Sequence, residues 1–105
     1  MPTEPETATL AEIVRAAAET ADPSGADELV ADFTERFEDR DEPVTAVANV
    51  EEELVEAQRE IDIDGDREPL RTAVDVAIYL AFRRDELGAD RDELIRLARR
   101  AEENT

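Results

Sequence analysis

Pro43-Val44-Thr45-Ala46-Val47-Ala48-Asn49-Val50-Glu51-Glu52-Glu53-Leu54-Val55-Glu56-Ala57-Gln58-Arg59-Glu60-Ile61 is the stretch that decides the fold class. Within it Val47, Val50, Leu54, Ala57 and Ile61 recur at steps that alternate between three and four residues, the period of a helix packed along one seam. A half-buried strand would instead alternate apolar and polar residues at every second position. No segment of the chain does so, and turn signals divide it into five helical stretches. The expected fold is therefore all-α, a helical bundle of about five helices.

Working outward, Pro43 suits a first helical turn because its missing N–H has no intrahelical partner there, so a helix is predicted over about 43–61. Upstream, Thr9 and Glu12 form a capping box for a helix over about 10–21, which Asp22-Pro23-Ser24-Gly25 stops. Ser24 or Asp27 can cap a second helix carrying Val30, Phe33 and Phe37 on one face. Downstream, Asp62-Ile63-Asp64-Gly65-Asp66 ends the seam. Asp66 then caps a helix over about 67–87, with Pro69 in its first turn. Asp90 and Glu93 open a last helix whose inner face is Leu94, Leu97, Ala98 and Ala101. Residues 1–8 read as a lead-in without the basic and apolar regions of a secretory signal, and residues 9–105 as a single domain.

The 105 residues include 30 acids against 12 bases, a net charge of −18, and every base is Arg. Leu, Ile, Val and Phe together make 24 residues, a fraction just above the roughly 20% below which a highly charged chain stays unfolded. Self-repulsion on this scale opposes compaction, and molar salt, with a Debye length of about 3 Å, removes most of it. The composition is thus one suited to a salt-loaded cytoplasm, and it argues against a nonspecific grip on nucleic acid or anionic lipid. The longest apolar run, Ala73 to Phe82 with Asp75 inside it, is shorter than the roughly 20 residues a membrane span requires. The charge is uneven: residues 1–65 hold 4 Arg against 20 acids, a net of −16, whereas residues 66–105 hold 8 Arg against 10 acids, a net of −2. With no Cys and no His, thiol chemistry, disulfides and the commonest zinc ligands are excluded, which leaves hard cations held by carboxylates.

Two features could carry chemistry. The helix from about residue 67 is apolar on every side except for Asp75, a pattern normally buried on more than one side; little in a small monomer could surround it, so homo-oligomerisation through this helix is expected. Asp75 would then need a cation or hydrogen-bond partners, unless it pairs with Arg71 one turn earlier or lies at a solvated edge. On the preceding helix, Glu51, Glu52, Glu53, Glu56 and Glu60 stand away from the apolar seam. Helices joined by a short turn pack antiparallel, so acids of one can meet Asp75 of the other around Mg²⁺.

Glu52-Glu53-Leu54-Val55-Glu56 has the form EExxE, and Thr72-Ala73-Val74-Asp75 stands where an ExxD motif would follow. With Asp64-Gly65-Asp66-Arg67-Glu68-Pro69-Leu70, Val74 to Leu80 and Glu86-Leu87-Gly88-Ala89-Asp90 in matching register, residues 42–105 resemble the all-α nucleoside triphosphate pyrophosphohydrolase superfamily, which includes the MazG-like and phosphoribosyl-ATP pyrophosphohydrolase groups. The resemblance implies Mg²⁺-dependent cleavage between the α and β phosphates of a nucleotide, with release of pyrophosphate. It implies Glu52, Glu53, Glu56 and Asp75 as metal ligands, with Glu53 and Glu56 also orienting the attacking water. Arg100 and Asn104 stand where MazG-like members carry a Lys and an Asn, and would touch phosphate or base; Arg71 is a further substrate-binding candidate by charge and position. Thr72 occupies the place of the motif Glu, which removes one carboxylate and makes an inactive relative the companion expectation. Glu68, one turn earlier, could substitute.

Two readings from other classes remain. Residues 86–97 resemble the turn and second helix of a helix-turn-helix, with Arg91, Arg96, Arg99 and Arg100 near phosphate, but Asp90, Asp92 and Glu93 occupy the turn that would meet base edges. The other is a non-enzymatic, homo-oligomeric helical protein in which Tyr79 and Phe82 form the subunit interface and no ligand binds.

Overall fold

The structure is a computed structural model, which describes residues 8–62, 67–83 and 89–103. Five helices follow one another: α1 (Leu10–Ala21), α2 (Glu28–Arg36), α3 (Val50–Ile61), α4 (Glu68–Phe82) and α5 (Arg91–Glu103). The described residues contain no strand, only one isolated antiparallel bridge between Thr9 and Pro43. The all-α bundle expected from the apolar periodicity is the fold.

α1 begins where its capping box places it: Thr9 Oγ1 accepts from the Glu12 N–H at 3.2 Å, and the Glu12 carboxylate accepts from the Thr9 N–H at 3.1 Å. The next two N–H groups, of Leu10 and Ala11, donate to the carbonyls of Glu42 and Arg40. The first turn of α1, which every helix leaves without internal acceptors, is thereby completed by residues 40–42. Asp27 caps α2 by accepting from the N–H groups of Leu29 and Val30 at 3.0 and 3.1 Å.

α3 starts seven residues later than the position of Pro43 suggests. Pro43 is held extended by its bridge to Thr9, and the Val44 N–H donates to the Ala8 carbonyl at 2.9 Å. Those long-range bonds commit residues 43–44 to the start of α1, so the chain makes only a short 3-10 turn at Val44–Ala46 before Asn49 opens α3. Val47 of the expected seam lies in that connection, partly buried, while Val50, Leu54 and Ala57 form the inner face of α3.

α4 is the centre of the bundle. It lies along α1 and also meets α2, α3 and α5. Leu70, Ala73, Val74, Val76, Ala77, Leu80 and Ala81 are all buried. Ala73, Ala77 and Ala81 recur every fourth residue, and small side chains at that spacing let a neighbouring helix approach closely. Contrary to the expectation that a small monomer could not surround it, one chain supplies enough neighbours to bury most of α4. Its helical bounds end at Phe82, and the remainder of the stretch expected to be helical, from residue 84, lies outside the described residues, as does the expected Asp66 cap. Arg67 is the first flanking residue instead, and its N–H donates to the Asp62 carboxylate at 3.1 Å.

Candidate functional site

A helix advances about 100° per residue, so the side of α3 on which each acid stands follows from its distance to Leu54. Val50, Leu54 and Ala57 point into the core. Glu51, Val55 and Gln58 occupy the flank toward α4 and α5, and with Asp75, Ile78, Tyr79 and Phe82 they line a cleft of about 500 Å³, closed on the far side by Ala98 and Ala101. Glu52 and Glu56 are exposed and line no part of this cleft. Glu53 lies on the opposite flank, where its carboxylate accepts from Arg40 at 2.8 Å.

The carboxylates of the EExxE motif are therefore not gathered about Asp75. Among the described residues no group of three or more acids is close enough to hold a metal ion as the side chains lie. Glu51, the one acid of α3 that shares the cleft with Asp75, is outside the motif. Its flank was legible as the stripe Glu51, Val55, Gln58, one step round from the apolar seam. Reading the motif by its letters missed it.

Glu53 has a partner of its own. Arg40 also donates to Glu42 at 2.8 Å, and its guanidinium lies 6.0 Å from the centre of the Phe37 ring. Its hydrogen bonds to the Glu53 and Glu42 carboxylates push the Arg40 pKa above its ordinary value, and the bond that Glu42 accepts draws that carboxyl below its own. This cluster ties the residues before α3 to α3 itself, so ligation of a metal by Glu53 would require breaking it.

The expected substrate contacts are dispersed. Arg71 is exposed on α4 and Arg100 on α5, and neither lines the cleft. Asn104 lies outside the described residues. Thr72 is partly buried, and Glu68 forms an ion pair with Arg99 at 3.4 Å. Arg91, a candidate phosphate contact of the helix-turn-helix reading, donates from Nε to the Thr20 carbonyl at 2.6 Å and so serves the C-terminal end of α1. No helix of the described residues is long and apolar enough to cross a membrane.

The geometry does gather apolar surface. A second cleft, of about 660 Å³, adjoins the first and shares Glu51, Val55 and Phe82 with it, adding Val44, Val47 and Ala48. Phe82 stands at the junction with 61% of its surface exposed, the one large hydrophobic side chain so exposed among the described residues. Set beside known proteins, the chain matches no family model, no curated protein and no solved structure.

Proposed function

We propose that this chain works by association: a non-enzymatic, homo-oligomeric helical protein whose contact surface is the double cleft between α3, α4 and α5. The observation that carries this reading is Phe82, a 61% exposed aromatic ring at the junction of two clefts that share Val55. Covering that ring and the adjoining cleft walls with a partner would remove apolar surface from water. The outward acids of α3 then keep the protein soluble in high salt and do no chemistry. Sedimentation equilibrium in molar KCl tests the proposal, with a concentration-dependent dimer or larger species expected. A monomer at every accessible concentration would refute it.

One observation favours a second reading, the Mg²⁺-dependent nucleotide pyrophosphohydrolase or an inactive relative of one: Glu51 and Asp75 share a cleft at the end of α4 that also carries Arg83. Under that reading a metal would recruit Glu52 or Glu56 by rotamer changes, and Arg71 and Arg100 would meet phosphate. Pyrophosphate release from a panel of nucleotides with Mg²⁺, compared with Asp75→Asn, decides it. Release lost in that variant would establish the enzyme and displace the association reading as the primary function.

A further inference from the structure

Resting on the association reading, we infer that the partner is a second copy of this chain, docked about a two-fold axis beside Val55 with the two α3 helices antiparallel. The inference comes from a charge pattern on α3 that the EExxE reading does not use. Glu52, Val55 and Arg59 recur at i, i+3 and i+7 and so share one stripe of the helix. Val55 is partly buried and lines both clefts, while Glu52 and Arg59 are exposed and form no ion pair among the described residues. Reversing α3 about the midpoint between Val55 and Glu56 carries position 52 onto position 59. In an isologous contact each residue that meets a partner residue is met in return, so one docking event makes two Glu52–Arg59 pairs flanking an apolar centre of Val55 and Phe82. A parallel arrangement would set Glu52 against Glu52 and Arg59 against Arg59. The stripe thus selects the antiparallel direction by attraction and excludes the parallel one by repulsion.

The symmetry also brings the two Glu56 carboxylates near the axis, adding to the mutual repulsion of two chains of charge −18. Assembly is therefore tied to salt, which screens the global charge before it screens pairs in contact.

The test uses the full chain in half-molar KCl, where a Debye length of roughly 4 Å leaves contact pairs partly unscreened. Arg59→Glu should weaken the dimer by about tenfold, because two pairs are reversed at once. Arg96→Glu, an exposed site on α5 with the same change in net charge, should weaken it by less than about threefold if only the global charge matters there. The double variant Glu52→Arg with Arg59→Glu keeps the net charge of the parent and should return to within about threefold of it. Val55→Cys should form a disulfide-linked dimer on oxidation, since the two residues flank the axis and the chain has no other Cys. A dimer that Arg59→Glu and Arg96→Glu weaken equally, or that Val55→Cys does not cross-link, would overturn this geometry while leaving association standing. A parent chain that stays monomeric in molar KCl would overturn both.

Discussion

Replacing Phe82 by Ala tests the proposed association apart from folding, because part of that side chain is covered within the monomer and the larger part is exposed. A fully covered aromatic side chain buries roughly 150–250 Å². With 61% of its surface exposed, Phe82 still offers roughly 90–150 Å² to a partner. At about 25 cal/mol per Å² complete coverage of that area would contribute about 2–4 kcal/mol, and about half as much at a position that stays partly wet. The proposed symmetric dimer would use two rings, so Phe82→Ala should raise its dissociation constant by a factor between about thirty and several hundred. The folding cost comes from the part of the ring already covered in the monomer, roughly 60–100 Å² or about 1.5–2.5 kcal/mol. Leu80, two residues earlier and 0% exposed, provides the contrast: Leu80→Ala should cost about 2–5 kcal/mol of folding stability through lost burial and a cavity. Sedimentation equilibrium reads the first quantity, and urea unfolding in molar KCl at concentrations that keep each protein monomeric reads the second. An unchanged dissociation constant for Phe82→Ala would refute the role of the cleft. A folding loss equal to that of Leu80→Ala would mean the ring belongs to the core.

Three further outcomes follow from the geometry. Asp27→Ala removes the acceptor of the Leu29 and Val30 N–H groups and the ion-pair partner of Arg67, and should lower stability by about 1 kcal/mol in urea unfolding; a change within error would mean water replaces the cap at no cost. The carboxyls of Asp22, held by the Asp27 N–H, and of Glu42, held by Arg40, lie below their ordinary values of 3.8 and 4.5, so their contribution is complete above those values and is lost as pH falls through the lower folded ones. The urea midpoint should fall on acidification below about pH 4.5 and fall less in Arg40→Gln, whereas identical profiles would remove Arg40 from the account. Dilution from molar KCl into low-salt buffer should reduce helical circular dichroism, because 30 acids against 12 bases then repel over a longer range; an unchanged spectrum would show that the core outweighs the charge.

Much of the fold was legible because it depends on local chemistry. The Thr9 and Glu12 box, the Asp27 cap and the position of Pro69 in the first turn of α4 all involve residues within a few positions of one another, and each stands where its residue type places it. The start of α3 was not legible, since the bond from Val44 to Ala8 and the bridge from Pro43 to Thr9 join segments more than thirty residues apart. For the candidate site the difficulty was one of phase. EExxE fixes which residues are acidic, but the neighbours of the helix decide which of its flanks faces α4.

An all-helical chain, the capping box that begins its first helix, a core built from small apolar residues, and an acidic surface without Cys, His or Lys all follow from residue order alone. Long-range packing set the rest: α4 is enclosed by four helices of the same chain, Glu53 turns to Arg40, and Phe82 and Val55 meet at an open cleft. The two kinds of interaction differ in range. Capping and helical period act across one or two turns, whereas the rotation of a helix about its axis is set by how all of its neighbours pack, and that packing separates an acid that shares a cleft with Asp75 from one that faces water.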